Sequence, residues 1–330
     1  MPCSIRVFVM PSTADLSAIK AKRAPAAKPA PARVTLSEAD LEWVATGARV
    51  IWRKKLLRTL RTLRDPGVAM PAAILLFIIL GCFFGPIVLG LPDPNIGSLR
   101  QGLLPIGSPG HPLGTNNLGN DLLSRLLYGG QVSILVGIVA TGMGFVVGMT
   151  LGAIAGVFGG VFEAAIMRIF DALYAFPSLI IALAIASYLG PSVFHTMIAI
   201  ALFTVSGFGR LARGQTIRVR NFDYIVAARS CGMSEVKIVF VHVIPNIIPP
   251  LISLAVFNIG NAMVVEAGLS YLGLGIRIPD PSWGNLIADA QPYLSRDPML
   301  IYIPAAALFI TVLAITLLSD GFRRRMALDR

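Results

Sequence analysis

The sequence predicts an all-α integral membrane protein with six transmembrane helices, and three observations carry that prediction. Of the 330 residues, 55% are hydrophobic and only 14% charged, where a soluble chain has roughly a quarter of its residues charged. The apolar residues gather into long charge-free stretches, giving a mean hydropathy of +0.74, and a helix needs about 20 consecutive apolar residues to cross a bilayer core. The basic residues sort to one side of those stretches, as topology in a membrane requires.

Residues 1–34 end in the run AIKAKRAPAAKPAPARV, whose Ala/Pro/Lys composition cannot bury a core and predicts a disordered basic tail. Residues 35–69 predict an amphipathic basic helix. Thr35 and Glu38 form a capping-box pattern, and Trp52, Leu56, Leu60 and Leu63 follow at helical spacing among arginines and lysines. Such a helix suits an anionic lipid–water interface. The first span covers 70–91 and contains Pro71 and Pro86, and an extracytoplasmic segment follows over 92–130. The region 131–320 holds five more spans near 131–158, 169–189, 193–208, 247–269 and 300–318, and 321–330 form a tail.

Lys and Arg set the orientation. Of the 28 basic residues, 24 fall before the first span, between the second and third, between the fourth and fifth, or after the sixth. The other side keeps Arg100, Arg125, Arg277 and Arg296. Both termini are therefore expected in the cytoplasm, which demands an even number of spans. The net charge of +11 is explained by topology, so no nucleic-acid partner is implied.

Several chemistries find no support. Cys3, Cys82 and Cys231 are widely separated, and His111, His195 and His242 have no metal-ligand spacing. Ser and His form no nucleophile arrangement, so no catalytic residue and no metal site are expected. The chain has no GxxxxGK[ST] phosphate loop; any use of ATP belongs to another chain.

Four features invite a functional reading. Gly144, Gly148, Gly152, Gly156 and Gly160 recur every fourth residue and clear one helix face of side chains. That suits close packing within one bundle, and equally a pore-lining or subunit-contact helix. Glu266, with Asn261 and Asn258 about one and two turns earlier, is a candidate for lining a polar path or for bonding a neighbouring helix. Glu163 and Asp171 flank Arg168 and suggest local charge pairs, and Asp121 and Arg125, four apart, suggest a pair on a short helix. The loop 210–246 is too short for an enzyme domain but holds two short helices around a break: Ala227 and Ala228, then Gly232, Ser234 and Pro245, with Ile238, Phe240, Val243 and Ile244 as anchors. It reads either as a docking loop or as a surface loop.

The run AARSCGMSEVKIVFVHVIPN resembles the cytoplasmic loop motif of ABC-transporter permeases, with Ala227, Ala228, Gly232 and Pro245 at the matching places and Val226 where the family has Glu. HPLGTNNLGNDLLSRLLYGG and EAGLSYLGLGIRIPDPSW are similar to segments of the dipeptide, oligopeptide and nickel permeases, which usually carry Asp and Arg where Asn116 and Asn120 stand here. The resemblance implies a type I ABC importer permease (MetI-like) architecture in a bacterial cytoplasmic (inner) membrane. It implies half of a path for peptides or a related small solute, nickel included. Expected partners are a second homologous permease, two cytoplasmic ABC ATPase domains that use ATP and Mg, and an extracytoplasmic solute-binding protein. The chain itself is expected to bind no cofactor. The rival reading is a secondary transporter or channel that works alone, which has no need of such a loop.

Overall fold

A backbone in lipid must satisfy its own polar groups, which leaves helices as the means of crossing for chains of this type. The computed structural model describes residues 66–328, and every long element among them is a helix. The expected tail and most of the basic amphipathic helix lie outside the described residues.

Helix α1, Pro66–Val88, starts four residues before the expected span and exposes Phe77, Ile87 and Val88. Large apolar side chains left bare along a helix are what a lipid-facing surface needs. The segment after it has a single 3-10 turn, Leu99–Gln101, and is stitched by isolated bridges such as Gly97 to Asn120 and Thr115 to Asp121. Asn116 holds its centre: its Oδ1 accepts the N–H groups of Leu118 at 3.0 Å and of Asn120 at 2.8 Å.

Helix α2, Leu122–Phe158, begins nine residues before the expected span because Asp121 caps it, accepting the Ser124 N–H at 2.8 Å. The expected Asp121–Arg125 pair does not form. Asp121 is bonded to His111 Nδ1 at 2.9 Å, and Arg125 faces Asp289 at 3.5 Å. Burial pushes the Asp289 carboxyl above its usual range, and the Arg125 guanidinium draws it part of the way back.

The expected third span is not one helix. Helices α3, Gly160–Ala175, and α4, Ser178–Leu189, are bent by 88° at the break. Pro177 disfavours helical geometry in the residue before it, and Phe176 is extended at φ −101°, ψ 140°. Helix α5, Val193–Val219, continues eleven residues past the expected end, so Arg210, Arg213 and Arg218 stand on a helix, not in a loop.

Next come α6, Asp223–Ser230, and α7, Glu235–Ile238; a π-helical turn at Val239–Val243 joins α7 to α8, Ile244–Tyr271. Pro245 stands in the first turn of α8, and the helical path runs continuously from Glu235 to Tyr271. The wider π turn lies where a proline ring would otherwise crowd the carbonyl four residues back. Helix α9, Trp283–Ala290, and α10, Met299–Leu328, complete the chain.

Among the described residues five helices are long and apolar enough to span a membrane, and the bent α3–α4 pair makes a sixth if it is counted as one span. At 37 residues α2 is about 55 Å long, well beyond a hydrocarbon core of about 30 Å. Among the described residues the α2–α5 contact is the most extensive between any two helices.

Candidate functional site

The α2–α5 seam is set by glycine. Lipid tails are as apolar as leucine, so helices associate in a bilayer through close packing and not through hydrophobic burial. Gly144 lies against Ala201 and Thr204, Gly148 against Val205 and Phe208, Gly152 against Gly209 and Ala212, and Gly156 against Arg213 and Thr216. Each step of four on α2 is a step of four on α5, so the helices run parallel in constant register. Gly160 falls outside this stripe: it opens α3 at φ +57° with nothing near its missing side chain.

Sequence reading missed Gly209, where a third helix joins. The buried ring of Phe170, on α3, occupies the space a Cβ would need there. The signal was the repeated glycine on α5, at 207, 209 and 214. Around this point the charges pair between helices. Glu163 bonds Arg213, and Asp171 bonds Arg210 at 2.9 Å; Arg168 is in neither pair. The Arg210 guanidinium also lies 4.2 Å from the centre of the Tyr174 ring. These pairs are half open to solvent, so each is worth at most about 1 kcal/mol. Asp171→Asn is expected to lower the thermal midpoint of the purified chain by only a few degrees, as read by a detergent melt, and a larger drop would mean that the pair organises the bend.

The loop at the same end of the bundle is a helix–glycine–helix unit. Gly232 stands at φ +82°, and its N–H bonds Arg229 O at 3.0 Å while Met233 N–H bonds Ala228 O at 3.1 Å. This double closure is the Schellman motif, in which a left-handed residue ends a helix. Ser234 then caps α7, accepting from Lys237 N. Arg229 Nε and Nη2 grip Glu235 Oε1 and Oε2 at 2.5 and 3.0 Å across the turn. Bonding to Arg229 holds the Glu235 carboxyl below its usual range.

One side of the unit is fixed and the other is bare. Ile225, Ile238, Val239 and Val243 are buried in a cluster with Ala153, Phe208 and Ala212, which sit on the α2–α5 seam. Phe240, expected among the anchors, instead points outward with Tyr224, Val226, Val236 and Val241. Ala227 is also exposed, and Ala228 is half-buried. A force on the bare side thus reaches the glycine seam through packed side chains.

At the opposite end, Glu266 is fully buried and accepts hydrogen bonds from Ser133 and Ser270. Its bond to Ser133 on α2 gives it the neighbouring-helix partner that the sequence offered as one of its two readings. Asn258 and Asn261 are half-buried on α8. Trp283 locks α9 onto α2: its ring fills the space beside Gly130, and its Nε1 donates to Leu126 O at 2.9 Å. Among the described residues no group of His, Cys, Asp or Glu is placed to hold a metal ion.

Comparison with known proteins places this arrangement. Residues 148–328, from the glycine seam to the last helix, match the family described as binding-protein-dependent transport system inner membrane component. The chain belongs to that family. As a permease it resembles a probable D,D-dipeptide transport system permease protein of Escherichia coli K12, with 37% identity over 84% of this chain and 90% of the relative. It also resembles a glutathione transport system permease protein of Pectobacterium atrosepticum, with 33% identity over 82% and 96%. The fold is similar to the inward-facing crystal structure of the MetNI methionine ABC transporter, with a TM-score of 0.50 and 17% identity over 61% of this permease and 95% of that chain. The protein is a multi-pass inner-membrane permease subunit of an ABC importer, a non-catalytic component that works with ATPase and binding-protein partners.

Proposed function

We propose that this permease forms one half of the path for short peptides, driven through the Asp223–Val243 unit by two cytoplasmic ATPase domains. The observation that carries the reading is that unit's construction: its inner face is built into the α2–α5 seam while its outer face is bare and apolar. The other half of the path is a second, homologous permease, and an extracytoplasmic binding protein delivers the cargo. ATP and Mg act on the ATPase domains, and both termini lie in the cytoplasm, on the side of Arg210, Arg213, Arg218, Arg220, Arg229 and Lys237. Asn258 and Asn261 are the polar groups offered to the path.

The names of the relatives, dipeptide and glutathione permeases, support a cargo of two or three residues. The nickel cargo that the resemblance allowed has no counterpart among them. Purification in a mild detergent is expected to recover an ATPase subunit bound to this permease, and Phe240→Glu should reduce that recovery by about tenfold by burying a charge in the joint. ATP-independent uptake by the chain alone would instead make it a secondary transporter.

A further inference from the structure

A carboxylate sealed in the membrane half of a protein is expensive unless it is hydrogen-bonded, and Glu266 has no cation beside it among the described residues. Ser133 Oγ donates to its Oε2 at 2.9 Å and Ser270 Oγ to its Oε1 at 2.7 Å. Each serine in turn accepts a backbone N–H from the segment after α8. Trp283 N donates to Ser133 Oγ and Ile276 N to Ser270 Oγ, both at 3.3 Å. Asn285, buried on α9, grips the same segment from the other side through Ile276 O at 3.0 Å and Asp280 O at 3.2 Å.

What these anchors hold in place is the turn Arg277–Asp280, closed by Asp280 N to Arg277 O at 3.0 Å. Arg277 and Asp280 are exposed and form no ion pair among the described residues. Both line a recess of about 440 Å³ whose other wall includes Val193, Phe194 and Met197 at the start of α5. A buried polar hub thus fixes one cation and one anion beside an apolar wall.

The geometry points to this recess as a site for the two charged ends of a short peptide during transport, with Arg277 taking the carboxylate and Asp280 the ammonium. This rests on the peptide-importer reading above. Two extended residues span about 7 Å, and the ends of a four-residue turn lie within about 7 Å of each other. The volume falls in the range of about 300–1,000 Å³ typical of small-molecule sites, which suits two or three residues and not a long oligopeptide. Lys and Asp or Glu side chains of a delivery protein carry the same two kinds of charge, so the experiment separates peptide handling from docking.

The test uses the complete transporter in proteoliposomes, supplied with binding protein loaded with a labelled dipeptide. Arg277→Gln and Asp280→Asn should each lower the peptide delivered per ATP hydrolysed by about tenfold. The concentration of loaded binding protein giving half-maximal ATP hydrolysis should stay within about twofold. Recovery of the assembled complex reports folding, and Arg277→Lys, which keeps the cation, should restore most of the delivery. An unchanged delivery ratio in both variants would overturn the inference, and so would a weaker half-saturation at constant ratio, which marks a docking surface for the binding protein. Wild-type liposomes that import no dipeptide would overturn the peptide reading and this inference with it; import by wild type with indifferent variants overturns the inference alone.

Discussion

Gly148→Leu is expected to abolish recovery of the folded permease, whereas Gly142→Leu, six residues earlier on the same helix, is expected to leave it intact. At Gly148 even a Cβ would overlap the Val205 carbonyl oxygen and stand 2.8 Å from Phe208 Cβ and 3.0 Å from Gly209 N. Two of those three are backbone atoms, which cannot turn aside as a side chain can. Leucine adds three further carbons in the same place. Overpacking a tight core costs about 1–3 kcal/mol, and this case lies at or above the upper end because the parallel register leaves nowhere to slide: shifting α5 to relieve Gly148 presses the same helix on Gly144 and Gly152. At Gly142 nothing lies within 4 Å, and leucine is the better helix former. The yield of monodisperse protein after solubilisation decides between them. Equal yields for the two variants would mean that the α2–α5 contact is not what holds the bundle.

The same register explains how much of this molecule could be read from the sequence. Spans were legible because lipid demands long charge-free runs, and the glycine stripe was legible because a period of four needs only one helix to be seen. Helix ends were less so. Asp121 looked like half of an ion pair, but an acid just ahead of an apolar run also caps a helix, and here the cap lengthens α2 by nine residues. Pro177 was visible as a proline inside an apolar stretch, yet its 88° consequence depends on Phe176 adopting an extended conformation. The polar pairs were the least legible. Glu163 and Asp171 have Arg168 between them in sequence, but find their partners on α5 some forty to fifty residues on. Glu266 meets Ser133 across 133 residues, a contact that no periodicity announces.

At the opposite end of the bundle from Trp283, Gly232→Val is expected to cut peptide uptake by ten- to a hundredfold while leaving the permease in the membrane at normal level. The reason is conformational and not steric. Nothing lies within 4 Å of a Cβ at this position, so the substitution crowds no neighbour, but the backbone stands at φ +82°. A β-branched residue there is strained by about 1–3 kcal/mol. The Schellman bonds from Gly232 to Arg229 and from Met233 to Ala228 then compete with that strain. Losing them lets α6 run on and shifts the Arg229–Glu235 grip that sets the angle between α6 and α7. The bare face with Tyr224, Val226 and Phe240 is then turned away from the position the proposed ATPase docking requires, and at 1.4 kcal/mol per tenfold the strain converts to the loss stated. Gly232→Asn supplies the control, since asparagine tolerates the left-handed region; it should retain most of the uptake. If valine and asparagine prove equally harmless at this position, the turn does not carry the driving force and the docking reading of the loop fails; if they prove equally damaging, what matters is the space in front of Gly232, and the partner's surface comes closer to it than to Phe240.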